Sequence, residues 1–244
     1  MLIYLKPGTR MRVVATLALV FILLGARAGL TIYGHEEAAM AKITPLSRFN
    51  TSLSSIGLMV DASLAGAEEL AAALAVLEEA QMKGTWFIDA TTVESCQAAV
   101  KEIADKGHEF GIKGTDQKAL DKLQALEIKD RLSRSRQAFS QMGIQPAPFL
   151  YPPSGRYSDE LIAVAFQEGI EALKPAHDAS RMRGKEADAA SKLAGSLKSG
   201  DLVLLRVGRK GIEPAATYLA ALQTALAERG ITAVPITALV KGVR

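Results

Sequence analysis

IGLMVDASLAGAEELAAALAVLEEAQMKGTWFI, residues 56–88, contains one complete strand–helix–strand unit. The run IGLMV (56–60) is short and apolar, as expected of a buried strand. Residues 66–82 are rich in Ala, Leu and Glu at the spacing of an amphipathic helix, and TWFI (85–88) is the next apolar run. Strands that alternate with helices pair in parallel through helical crossovers, so this stretch predicts an α/β fold.

The same alternation continues to the C-terminus and predicts seven strands in about 190 residues. The later predicted strands are HEFGI (108–112), PFLY (148–151), IEAL (170–173), DLVLL (201–205) and TAVPI (232–236). Helical patterns separate them at 92–106, 116–142, 157–168, 186–198 and 213–229. This number of strands favours a distorted (β/α) barrel of about seven parallel strands, with function at their C-terminal ends. An open doubly wound sheet is the alternative.

Residues 1–33 have the pattern of a signal peptide or a membrane anchor. Three basic residues precede an uncharged apolar run of thirteen residues (13–25), and a small-x-small site, Ala26 to Ala28, follows it. A bilayer span needs about twenty apolar residues. We therefore expect an exported protein, secreted or anchored in the membrane through this segment, with a linker at 34–54 and the barrel at 55–244.

The composition excludes several functional classes. The chain has 244 residues, 49% of them apolar and 23% charged, which suits one large domain with a buried core. Its net charge is +3, but four basic residues lie in the first thirty positions, so the remainder carries −1 (25 basic and 26 acidic residues). No basic surface for nucleic acid is indicated. The single cysteine, Cys96, excludes an internal disulfide and a cysteine-rich metal cluster.

The sequences at the predicted strand ends resemble the polysaccharide deacetylase family, also called the NodB-homology or carbohydrate esterase family 4 domain. They are, in order, IGLMVDAS, KGTWFIDA, KGHEFGIKGTDQ, FLYPPSGRY and GDLVLLR. The resemblance covers roughly residues 56–240 and is strongest to the branch found in spore-forming bacteria. It implies a distorted (β/α) barrel. It also implies removal of acetyl groups from chitin-like polymers, peptidoglycan or xylan by means of a divalent metal such as zinc.

The metal-binding positions of that family are altered in this chain. The resemblance places the general base at Asp61, but the neighbouring metal-ligand position holds Ala62. The two metal-binding histidines correspond to Lys113 and Gln117. Because alanine has no donor and a lysine ammonium has no lone pair, this set does not meet the need of zinc for about three ligands. We therefore expect no metal cofactor.

Other family positions are altered as well. The third motif, at Tyr151 to Gly155, keeps its turn and lacks the arginine that orients the base; the position of the general acid holds Arg206. A guanidinium stays protonated and is a poor proton donor to a leaving amine. His108 is expected to be structural, and the loop His177–Asp178 is a candidate for the pocket.

The sequence thus favours an exported protein of the cell envelope that has lost catalysis and binds a glycan, an acidic polymer or an envelope partner. Lys113, Gln117, Tyr151 and Arg206 are its expected binding residues at the rim of the pocket. A competing interpretation is that Lys113 only neutralises Asp61. The alternative function is an active deacetylase of acetylated amino sugars with a rearranged site around Asp61.

Overall fold

The strands and helices follow one another much as the sequence predicts. The computed structural model describes residues 44–62, 65–181, 186–208, 211–213 and 216–242. The predicted signal or anchor segment (1–33) and the first ten positions of the predicted linker lie outside these residues. Within the described ranges, no helix is both long enough and apolar enough to cross a membrane.

A mostly parallel sheet is built around the first strand, β1. The strands are β1 Ser55–Asp61, β2 Thr85–Phe87, β3 Glu109–Gly111, β4 Phe149–Leu150, β5 Glu171–Ala172, β6 His177–Asp178, β7 Leu202–Gly208, β8 Gly211–Glu213 and β9 Thr232–Val234. The order across the main sheet is β3-β2-β1-β7-β6, while β9 pairs with β1 and β8 with β7. Strands β4 and β5 form a parallel pair of their own, and a bridge from Ile112 to Leu150 connects this pair to β3. The predicted distorted barrel is confirmed.

Eight α-helices lie in the described residues, and the last of them contributes Ile236 and Leu239 to the side chains inside the barrel. The helices are α1 Ala67–Glu79, α2 Ala90–Ser95, α3 Gln97–Asp105, α4 Ala125–Gln141, α5 Asp159–Gln167, α6 Glu186–Ser196, α7 Ala216–Glu228 and α8 Ile236–Lys241. The predicted helix 92–106 is divided at Cys96, which has non-helical angles (φ −120°, ψ 36°). The sequence predicted a helix over 116–142, but residues 116–124 are not α-helical. At their start the Asp116 side chain accepts from the Lys118 N–H, which favours a turn.

Three elements were absent from the sequence prediction: the strands β6 and β8 and the helix α8. Strands β6 and β8 are two and three residues long, and β8 runs antiparallel to β7. The predicted last strand ends early, since Pro235 has no N–H for the ladder and instead begins α8. Short strands of this kind lack enough residues for a readable period.

Residues 44–54 form a strap along the domain, although the sequence predicted them as linker. The N–H of Leu46 donates to the carbonyl of Ala172 at 2.8 Å, and the N–H of Phe49 donates to the carbonyl of Gly200 at 2.9 Å. Arg48 also forms an ion pair of 2.5 Å with the fully buried carboxylate of Asp201. The compact unit that contains the barrel begins at Thr44.

Two apolar layers lie on opposite faces of the strands. Side chains from three strands, and from the residues directly after β4 and β5, meet inside the barrel, among them Met59, Phe87, Tyr151, Leu173 and Leu204. A larger cluster packs the outer face of β1, β2 and β7 against the helices. Because successive strand residues point to opposite faces, Asp61 and Arg206 share the inner face with Met59 and Leu204. The alternation of side chains along β1 and β7 thus places Asp61 and Arg206 where the apolar interior meets the C-terminal end of β1.

Candidate functional site

Charged side chains from several strands meet at the C-terminal ends of the barrel strands. Asp61 is the last residue of β1 and pairs in register with Arg206 of β7. Lys113 follows β3 by two residues, Tyr151 directly follows β4, and Asp178 ends β6. The topology therefore brings together residues that are far apart in the chain.

Lys113 and Asp61 form a buried ion pair. The Nζ of Lys113 lies 2.5 Å from Oδ1 of Asp61, and the side chains are 0% and 2% exposed. The Nζ is also 5.1 Å from the centre of the Tyr151 ring. Burial lowers the pKa of the Lys113 ammonium, while the charges of Asp61 and Asp89 act in the opposite direction. Lys113 is therefore fully buried. The sequence analysis had placed it at the rim of the pocket.

Arg206 connects two carboxylates at the surface of this cluster. Its Nη1 donates to Oδ2 of Asp61 and its Nη2 donates to Oδ2 of Asp178, both at 3.2 Å. Its side chain is 38% exposed, so the guanidinium reaches solvent. Both oxygens of Asp61 consequently accept a hydrogen bond from a cation, Oδ1 from Lys113 and Oδ2 from Arg206.

Gln117 belongs to a neighbouring network and does not contact Asp61 through any bond described. Its Nε2 donates to Oδ2 of Asp89 at 2.6 Å, and Thr91 and Thr92 donate to the same carboxylate. Asp89 is the N-cap of α2 and is almost fully buried. The sequence analysis missed this residue. An aspartate directly after the strand TWFI and before a helix was the available signal.

A polar cleft of about 300 Å³ opens beside the cluster. Its walls are Tyr151, Ser154, Gly155, Pro175, Ala176, Asp178 and Arg206. Burial raises the pKa of the Tyr151 phenol, so its hydroxyl keeps its proton at neutral pH. The cleft thus offers a guanidinium, a carboxylate and a serine hydroxyl to a small polar ligand.

The two histidines in the described residues have different surroundings. His108 is structural as predicted: its Nδ1 accepts from the Trp86 Nε1–H at 3.0 Å and from the Gly84 N–H at 3.2 Å. The Nε2 of His177 lies 3.4 Å from Asp201, at the base of the strap. Of the predicted loop His177–Asp178, only Asp178 therefore joins the site.

The residues at the family's ligand positions do not fit a divalent metal. Ala62 is buried in the outer apolar cluster and has no donor. Lys113 presents a cation to the carboxylate that remains, and the amide of Gln117 is directed at Asp89. Across the described part of the chain, no three His, Cys, Asp or Glu side chains are grouped as a metal site.

Comparison with known proteins agrees with the resemblance seen in the motifs. The family model described as "Polysaccharide deacetylase" matches residues 50–173. The uncharacterized protein YlxY of Bacillus subtilis (strain 168) is 25% identical over 190 residues, which are 73% of this chain and 55% of YlxY. The chain therefore spans only about half the length of this curated relative.

Solved structures share the fold at low sequence identity. The carbohydrate esterase family 4 pseudoenzyme BA3943 of Bacillus anthracis has a TM-score of 0.71 and 22% identity, covering 83% of this chain and 70% of BA3943. A mutant of BA3943 is described as having restored enzymatic activity. The peptidoglycan deacetylase PdaC of Bacillus subtilis has a TM-score of 0.61 and 17% identity, covering 79% and 91% of the two chains. A family 4 acetyl xylan esterase from Clostridium thermocellum, in complex with cobalt, has a TM-score of 0.67 and 19% identity, covering 78% and 93%.

Proposed function

The chain belongs to the polysaccharide deacetylase family, and from this premise we propose that it is a non-catalytic, glycan-binding protein of the cell envelope. The proposal rests on the hydrogen bonds that Asp61 accepts from Lys113 and Arg206. A general base must accept a proton from water, and here each carboxylate oxygen of the family's base position accepts from a cation. Arg206, at the position of the general acid, does not release a proton at working pH.

The cleft beside Arg206 supports binding without chemistry. Sugars offer hydroxyl groups that both donate and accept. Asp178 accepts, Arg206 donates, and the wall of the cleft includes the hydroxyl of Ser154. The two charged groups are already held by each other and by Asp61, so little ordering is required when a ligand binds.

The proposed location follows from the N-terminal pattern and from the relatives. Residues 1–33 direct export and either are cleaved or remain as a membrane anchor. PdaC, which shares the fold, is named as a peptidoglycan deacetylase. Peptidoglycan lies outside the cytoplasmic membrane, so we propose an envelope glycan of this kind as the ligand.

Calorimetric binding tests this function. Soluble peptidoglycan fragments and chitin oligosaccharides are titrated into the protein and into Arg206→Met and Asp178→Asn. We expect binding to the unmodified protein and at least about a tenfold loss in each variant, since each removes a charge-assisted hydrogen bond. Arg134→Met is the matched control, because Arg134 is a largely exposed arginine paired with Asp130 on α4.

An activity assay separates binding from the alternative function. Acetate release from the same oligosaccharides, with zinc or cobalt added, is expected to equal the rate without protein. Release that depends on the protein and is lost in Asp61→Asn means an active deacetylase with a rearranged site. Absence of binding by the unmodified protein, or equal binding by Arg206→Met, refutes the proposed glycan site.

A further inference from the structure

We infer that the ammonium group of Lys113 takes the place of the family's divalent cation, so that this fold is stabilised by a cation of its own. The residues at the ligand positions do not fit a metal, yet the carboxylate that accompanied it, Asp61, is retained and buried. Lys113 supplies the missing positive charge from within the chain. The charge balance, the position of the ammonium and its surroundings support this inference.

The charge balance of the cluster requires a cation in the interior. The cluster contains two cations, Lys113 and Arg206. Three carboxylates lie around them, and the net charge is −1: Asp61, Asp89 and Asp178. Arg206 lies at the surface and bonds both Asp61 and Asp178. Without Lys113 the group would carry −2, with Asp61 and Asp89 each at most 2% exposed. A buried carboxylate without a balancing cation strongly disfavours the folded state, so the fold depends on the inner ammonium.

The position of the ammonium group matches this role. Lys113 stands where the family resemblance places a metal-binding histidine, two residues beyond β3. Its Nζ is in direct contact with Oδ1 of Asp61, and the ring of Tyr151 lies on another side. An ammonium is a compact cation with three donors, so it can satisfy a carboxylate at short range. A divalent metal at the same carboxylate oxygen would be repelled by this charge.

A double-mutant cycle tests the inference through stability. Lys113→Met leaves Asp61 buried without its inner cation, and we expect the unfolding equilibrium constant to rise by about a hundredfold. In Lys113→Met with Asp61→Asn the charge is gone, and most of that loss should be recovered. Lys83→Met is the matched control, because Lys83 pairs with Glu78 at a partly exposed position. Its expected change is below about fivefold.

Each result of the cycle is informative, even if Lys113→Met alone does not fold. A double variant that is more stable than Lys113→Met supports the inner cation. A double variant that is no more stable overturns it, because Lys113 then acts only through packing. As a second readout, EDTA and zinc should leave the melting temperature of the unmodified protein unchanged. A lower melting temperature in EDTA also overturns the inference, since a bound metal would then supply the charge.

Discussion

Lowering the pH from 7 to 5 is expected to destabilise the protein through His108. Burial is the main cause that lowers the pKa of this side chain, from 6.5 to about 4. The neutral ring accepts N–H groups of Trp86 and Gly84 at the same nitrogen, Nδ1. Lys83 also disfavours the charged ring, while Glu78 favours it. Protonation at Nδ1 would remove both accepted bonds.

The magnitude follows from the two pKa values. The unfolded chain takes up a proton near pH 6.5, whereas the folded chain takes it up only near pH 4. The folded state is therefore disfavoured as the pH falls through this interval, and stability is fully present only above pH 6.5. The linkage relation gives a loss of about 2 kcal/mol at pH 5 and about 3 kcal/mol at pH 4.

Urea unfolding is measured at several pH values for the protein and for a variant without His108. The difference between the two separates the effect of His108 protonation from that of the carboxylates, which also titrate. His108→Asn keeps an acceptor for Trp86 and has no titrating group, so its free energy of unfolding should fall less between pH 7 and pH 5, by about 2 kcal/mol. His177→Asn makes the same substitution at a partly exposed position and is the control for the stability cost at pH 7. Parallel pH curves for the protein and His108→Asn would refute the reasoning.

Two further predictions concern the strap and the metal positions. Gly200→Ala is expected to destabilise the protein by at least about 3 kcal/mol in urea unfolding, because its φ is +85° and a Cβ would lie 1.9 Å from the carbonyl oxygen of Phe49. Gly143→Ala, at φ +73° with no atom within 4 Å of the added Cβ, should cost only about 1 kcal/mol, and equal losses would contradict a role for the strap contact. Lys113→His with Gln117→His adds two imidazoles beside Asp89, and equilibrium dialysis should show about one bound zinc per chain where the unmodified protein binds none. Zinc binding that persists when Asp89→Asn is added would exclude Asp89 as the third ligand.

The fold was predictable because its strong signals are periodic. Seven apolar runs separated by helical patterns were enough to predict the parallel barrel, and all seven contain a strand. The two-residue strand at His177–Asp178 and the strap at 44–54 could not be predicted in this way. The strap is held by single bridges to residues more than a hundred positions away, Leu46 to Leu173 and Arg48 to Asp201, and the strand pairs with β7 over only two positions. Such contacts leave no local pattern in the sequence.

Three members of the site were predictable, but their burial was not. The motifs placed Asp61, Lys113 and Arg206 at neighbouring strand ends, and the structure brings all three together. A motif does not say whether a lysine reaches solvent, and Lys113 does not. Gln117 was predicted beside the same pocket, but its amide donates to Asp89. Asp89 is held in place as the N-cap of α2. Burial and the choice of partner depend on the assembled barrel.

The buried pair of Lys113 and Asp61 also has an evolutionary consequence. A metal site could arise here only if Lys113 and the other altered ligand positions all changed. Replacing Lys113 alone leaves Asp61 in an unbalanced interior before a complete ligand set exists. By the same charge argument, a first substitution at Lys113 lowers stability before it can provide a metal site. The lysine therefore opposes a stepwise change of this position towards a metal ligand.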